Sequence, residues 1–228
     1  MKIELVIARY NEPLLWLLEK PFNQFPNTIY NKGNNESFII NENNMAIIPL
    51  KNVGRESESY LQHVILRYNS LADLTIFLPG SLDANGNKYR KAIYILTHLV
   101  SASTFIGINH QPSLKTDLYE FTLDEWSCRT STNAKQNSES KLTPSEIRPF
   151  GKWYEHHFSK LKTHLAPYGG VFSVYIEDIK QHPVERYKIL IKDLQVSSNP
   201  ETGHYFERSW EAVFGPLGKN TVYIPSTY

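Results

Sequence analysis

The sequence predicts an α/β sandwich around a mostly parallel central sheet, and three observations predict it. Short apolar runs of strand length alternate with segments of helical period through the first hundred residues. The strands end abruptly, at polar clusters or at Pro-Gly. A chain of 228 residues, 41% of them hydrophobic, is also long enough for a sizeable core.

Each element follows in order. Residues 3–8 read as a strand, because Ile3, Leu5 and Ile7 alternate with Val6 between them. Residues 13–19 read as a short helix with Pro13 in its first turn. The segment 27–33 is a second strand ending in Asn-Lys-Gly, and 34–50 is an Asn-rich loop followed by a short apolar segment. The clearest helix spans 56–71: Tyr60, Leu61, Val64, Ile65 and Tyr68 share one face, and Glu56 and Glu58 sit in its first turn, where the helix dipole favours anions. Residues 74–80 form a buried strand halted by Pro79-Gly80, and 91–101 a helix. The stretch 102–150 is less regular, and its part from about 127 to 146 reads as an exposed polar loop. Helices follow at 150–161, 184–194 and 203–215, the last closed by Gly215, with a short strand after Gly169-Gly170. No repeat or linker divides the chain, so 1–228 reads as a single domain.

Composition excludes several classes. There are 24 basic and 23 acidic side chains and no long basic run, so no nucleic-acid surface is indicated. A lone Cys128 rules out an internal disulfide and a Cys-rich zinc site, and fits a reducing compartment. No run reaches the ~18–20 apolar residues of a transmembrane helix. With no secretory signal at the start, the expected location is cytoplasmic. Oligomeric state is not legible. Fourteen tyrosines suit a polar cleft or a Tyr-rich core equally.

Polar clusters at the strand ends carry the functional signal. Arg9-Tyr10-Asn11-Glu12 interrupts the apolar run "VIARYNEPLLWL". Gly54-Arg55-Glu56 opens a helix, whose free N–H groups would suit a phosphate, with Arg55 as a bidentate partner. Arg55 pairing with Glu12 or Glu56 to fix the loop explains the same residues. Pro79-Gly80-Ser81 ends the third strand. Neither a P-loop nor a dinucleotide fingerprint occurs.

The stretches "VIARYNEPLLWL", "NVGRESESYLQHVILRYNSLADLTIFLPG" and "GHYFERSWEAVFG" resemble a family of proteins of unknown function with ARYNE- and NVGRE-type motifs, over nearly the whole chain. More distantly, the layout resembles glycosyltransferases of the GT-A type. That resemblance implies a GT-A-like, Rossmann-like three-layer sandwich and a nucleotide-diphosphate sugar as donor. It implies donor contacts at Arg9, Tyr10, Asn11, Glu12, Lys32, Gly54, Arg55, Glu56, Pro79, Gly80 and Ser81. A metal-holding Asp-x-Asp would fall where the chain reads Leu-Pro-Gly-Ser, so Mn2+ or Mg2+ dependence is open and Asp83 is the one nearby candidate ligand. The resemblance further implies Glu207 as general base, with Arg208 beside it. A glycan or other hydroxyl acceptor would lie near Gly169, Gly170, Phe172, Trp210 and His110. Without a metal, Arg9, Lys32, Arg55 or Arg208 would meet the charge of the departing diphosphate.

Plainer readings stand beside these. Glu207 also suits a helix start, and Trp210 with Phe214 at i, i+4 suits a core. His156-His157 has no metal spacing, and Cys128 has no partner for a nucleophile triad. Asp124, Glu125 and Trp126 would shape an acceptor site or simply precede the loop. Two rival functions remain: a non-catalytic nucleotide- or carbohydrate-binding protein, and a glycan or phosphoester hydrolase with paired carboxylates such as Glu12 and Glu56.

Overall fold

Strand β1 (Ile3–Arg9) divides the core. Leu5 and Ile7 point into one hydrophobic cluster and Val6 into the other, the period-two alternation of a strand covered on both faces. The structure is a computed structural model and describes residues 1–35, 38, 45–109, 118–124, 141–159 and 165–225. In it, β1 pairs in parallel with β2 (Asn27–Asn31) on one side and β4 (Leu74–Pro79) on the other. β2 continues in parallel to β3 (Met45–Pro49). Beyond β4 comes the antiparallel β7 (Phe172–Tyr175), then β5 (Thr104–Asn109), again antiparallel. β5 also takes β6 (Leu165–Ala166) antiparallel and β8 (Val222–Pro225) in parallel. The order is β3-β2-β1-β4-β7-β5-β6, with β8 on β5. Only β6 and β7 oppose the common direction, so the mostly parallel sheet expected from the sequence is present.

Helices cover both faces. On one, α1 (Arg55–Arg67), α3 (Phe150–Phe158), α5 (Val184–Leu190) and α6 (Glu201–Phe214) pack Tyr60, Trp153, Tyr187, Phe206 and Trp210 against Val6, Phe77, Phe105 and Phe172. The short α4 (Ile176–Lys180) adds Ile179. On the other, α2 (Gly86–Thr97) and two 3-10 turns set Ala92, Ile95, Trp16, Leu17 and Phe22 on Leu5, Ile7, Ile76 and Leu78.

Several boundaries differ from the sequence expectation, each for a local reason. The segment 13–19 is a 3-10 turn, Leu15–Leu18, entered through Leu14 at φ 56, which leaves Pro13 outside. Trp16 fixes it by donating its indole N–H to the Gly80 carbonyl at 3.1 Å. α2 starts five residues early, because the Asn85 side chain accepts the Asn87 N–H and caps it. The expected helix 184–194 ends at Leu190 and tightens into a 3-10 turn, Ile191–Leu194. The irregular stretch contains β5. Of the expected polar loop only 141–146 lie among the described residues, and there Thr143 is tied to α6: Thr143 donates to the Asn199 carbonyl and accepts from the Glu201 N–H.

Candidate functional site

The strand order reverses at β1. β2 and β3 lie to one side and β4 to the other, and in open α/β sheets the crevice outside such a point is where ligands bind. The loop after β1 enters that crevice and is bonded largely to itself. The Arg9 guanidinium, 1% exposed, donates through Nε to the Glu12 carbonyl at 2.7 Å, and through Nη1 to Asn31 Oδ1 at 2.6 Å and the Asn35 carbonyl at 2.8 Å. Its Cζ lies 3.7 Å from the Phe38 ring centroid. Burial lowers its proton affinity and the Glu12 charge partly restores it. Tyr10 N–H donates to Glu12 Oε2 at 2.7 Å, and Asn35 N–H to Asn11 Oδ1 at 3.2 Å. Gly80 packs so closely that a Cβ there would lie 2.8 Å from Glu12 Oε2. Arg9, Glu12 and Gly80 are therefore buried at the β1 end, while Tyr10, Asn11 and Ser81 are half-buried beside them. Pro79 is buried in β4.

The second cluster sits at the start of α1. Gly54 has φ 64 and Arg55 follows at φ 54, a left-handed pair that turns the chain sharply from β3 into the helix. Lys32 anchors this turn from beneath. Its Nζ donates to the Val53 carbonyl at 2.5 Å and the Arg55 carbonyl at 2.6 Å, and pairs with Glu58 Oε2 at 2.8 Å. Burial lowers the Lys32 proton affinity against the pull of Glu58. Lys32 thus serves the backbone in this structure. Arg55 Nε lies 3.7 Å from Glu56 Oε2, and the guanidinium donates to Asn199 Oδ1 at 3.1 Å.

A Gly-Gly turn between β6 and β7 brings the decisive groups together. β7 runs against β4, so its first residues lie at the same sheet edge as the ends of the parallel strands. Gly169 (φ 89) and Gly170 (φ 68) hold conformations that side-chain-bearing residues seldom adopt. Gly169 N–H donates to Glu207 Oε1 at 3.1 Å, and Tyr60 Oη donates to the Gly170 carbonyl at 2.9 Å. The Glu56 side chain flanks the same turn, with its Cγ 3.4 Å from where a Gly170 Cβ would stand. The Lys88 stem covers Gly169. Lys91 donates to the Tyr168 carbonyl at 3.1 Å. Arg208 stacks over Phe121 at 3.7 Å and Tyr168 at 4.9 Å, and donates to the His204 carbonyl.

The two carboxyls differ in proton affinity. Burial and the neighbouring Glu56 charge raise that of Glu207, outweighing Arg208, Lys88 and Arg55. Burial alone would raise Glu56 too, but Arg55, Lys88 and its own backbone N–H carry it below the ordinary carboxylate value. Burial, then Arg55 and Arg208, push His204 down to about 3, so its imidazole is neutral at pH 7. Burial lowers Lys91 to about 8 against the pull of Glu207.

The fold thus gathers Glu56, Glu207, Arg55, Arg208, Gly169 and Gly170 around one turn. It does not bring Phe172 or Trp210 there. Both are fully buried in the aromatic core, with ring centroids 4.9 Å apart, so the expectation that they touch an acceptor is corrected. His110, Glu125, Trp126 and Cys128 lie outside the described residues. Asp83 is exposed, and among the described residues no three His, Cys, Asp or Glu side chains are grouped to hold a metal ion. Among the described residues the β4 end, with Pro79, Gly80 and Ser81, offers no set of ligands that fits a divalent cation. Sequence reasoning missed Lys88, Lys91, Tyr168 and His204. The lysines stand as an i, i+3 pair behind Pro-Gly, on the helix that Asn85 caps.

Fold and site together define an α/β protein with two neighbouring carboxyls, Glu56 and Glu207, set among cations at its strand ends. The chain belongs to the family described as protein of unknown function (DUF3431), which matches residues 5–228. No curated protein matches the sequence. Among solved structures, S. aureus TarS is similar at 11% identity and TM-score 0.38, over 100% of this chain and 36% of that one. TarS 1–349 in complex with UDP-GlcNAc is similar at 12% identity and TM-score 0.37, over 79% of this chain and 47% of that one. The galactosyltransferase LgtC, solved with donor and acceptor sugar analogs, is similar at 10% identity and TM-score 0.37, over 96% of this chain and 72% of that one. This chain thus spans well under two thirds of those TarS chains. No helix among the described residues is long and apolar enough to cross a membrane.

Proposed function

We propose that the chain is a single-domain, cytoplasmic glycosyltransferase that moves a sugar from a nucleotide diphosphate donor to a hydroxyl acceptor. One observation carries the reading: Glu207, with raised proton affinity, meets an ionised Glu56 at a Gly-Gly turn ringed by Arg55, Lys88, Lys91 and Arg208. A pair of carboxyls pushed apart in proton affinity is the mark of an assigned acid–base role. Glu207 takes the acceptor hydroxyl proton as that oxygen bonds the anomeric carbon. The bond from that carbon to the diphosphate oxygen breaks, and its electron pair leaves with the diphosphate. Arg55, Lys88 and Arg208 meet the charge that develops.

The test is a thermal-shift panel of UDP, GDP and CDP sugars with and without Mn2+, followed by a donor-turnover assay. Stabilisation by one nucleotide class, with turnover lost at least about 10²-fold in Glu207→Gln, is the expected result. Binding without turnover would favour a non-catalytic binding protein, and stabilisation by none would sink both. A second reading draws on the same pair: Glu56 and Glu207 flank one turn, as two carboxylates do in glycan hydrolases. Release of sugar from aryl glycosides without any nucleotide would favour it.

A further inference from the structure

The turn 168–170 is held at each residue by a different helix. Lys91 of α2 bonds the Tyr168 carbonyl, Glu207 of α6 accepts the Gly169 N–H, and Tyr60 of α1 bonds the Gly170 carbonyl. The Tyr60 and Glu207 bonds fix the turn to the two helices that carry the carboxyl pair. The Lys91 bond is different in kind. It comes from the opposite side of the sheet, from a cation that is 6% exposed.

We propose that Lys91 is a positioning residue whose ammonium holds the Tyr168 carbonyl and so sets the Gly169 amide against Glu207. The proposal rests on Glu207 being the base. Tyr168 and Gly169 are joined by one peptide unit, so displacing the carbonyl rotates the amide that Glu207 accepts. Charged groups face this unit from every side: Glu207 and Arg208 from α6, Glu56 from α1, and Lys88 from the helix of Lys91. Burial brings the Lys91 proton loss to about pH 8, against the pull of Glu207 and with the push of Lys88. Above that pH the lysine becomes neutral and its bond weakens, since charge-assisted bonds are the stronger ones.

The sequence offers a direct probe. Tyr168-Gly169 is the one Tyr-Gly pair in the chain. Labelling tyrosine carbonyls with 13C and glycine amides with 15N gives a single correlated peak for that peptide in the full-length protein. In the wild type the Tyr168 carbonyl should titrate near pH 8. In Lys91→Arg, which keeps a cation that does not titrate there, the peak should remain at its neutral-pH position throughout. In Lys91→Met the Gly169 amide should be displaced at pH 6 as well. A wild-type peak that is flat between pH 7 and 9, or a Lys91→Met peak on the wild-type position, overturns the proposal. Should Lys91→Met fail to fold, the wild type and Lys91→Arg decide it alone. In a turnover assay Lys91→Met should lower kcat by about 10²-fold with donor KM unchanged, and Lys91→Arg should restore kcat and remove the alkaline fall. Absence of turnover with every donor would sink the transferase reading and leave the peak to judge the lysine.

Discussion

Glu207 binds its proton more tightly in the folded chain than in the unfolded one, so the stability it contributes is full in acid and is lost as pH rises through its folded value. At pH 7 its charge is a burden. Glu207→Gln is therefore expected to raise Tm at pH 7 while abolishing turnover, the trade expected of a group kept for its chemistry. Glu56 has the opposite sign. Its contribution is present above the ordinary carboxylate value and fades as pH falls through its depressed folded value. Glu56→Gln should lower Tm at pH 7 and move the Glu207 titration, followed by carboxyl 13C NMR, to lower pH. An unmoved titration would show that burial alone holds Glu207. Lys32 provides a contrast, since its role is to hold backbone. Lys32→Met strands Glu58, whose side chain is 5% exposed, without its cation. A loss of about 3–5 kcal/mol in urea unfolding is expected.

At the scale of elements, the entry to α1 and the anchoring of α6 decide whether the site exists. Gly54→Ala would put a Cβ 2.5 Å from Glu58 Cβ and 2.8 Å from Leu194 Cβ at φ 64. It should cost at least about 2 kcal/mol by denaturant unfolding. Glu201, fully buried at the head of α6, accepts the Leu123 and Ser145 N–H groups at 2.8 Å each and pairs with Arg148 at 3.0 Å. Nothing in the sequence marked it. Elements with a clean period were legible: β1, β2, β4, α1 and α6 lie within a few residues of where their patterns put them. β6 and β8 were not, because strands of two and four residues are too short for a period to register. The site was half legible. Glu207, Arg55, Glu56 and the Gly-Gly turn stood out by residue type, but pairing Glu56 with Glu207 needed the packing of α1 on α6, where Gly203 lets the Arg55 stem approach.

Across the whole molecule the charge is nearly balanced, with a formal net charge of +1. The cleft is not balanced: Arg55, Lys88, Lys91 and Arg208 face Glu56 and Glu207. Local excess of one sign within a neutral whole steers a small anion to one place without making the surface sticky. Inorganic pyrophosphate should accordingly raise Tm at low ionic strength, and the gain should shrink as salt approaches 1 M, where the Debye length is about 3 Å. A shift that salt leaves untouched would point to contacts other than these cations.

The position of β7 also bears on how the protein is made. β5 leaves the ribosome well before β6, β7 and β8, and among the described residues these three are the strands it pairs with. β4 likewise waits for β7 on its outer side. For the several seconds that translation of the intervening chain takes, the outer edge of β4 stays open and β5 lacks the strands it pairs with, because β7, which lies between the two, has not been made. A nascent chain stalled before Phe172 would present both edges to other chains, which is the exposure that invites aggregation and chaperone capture.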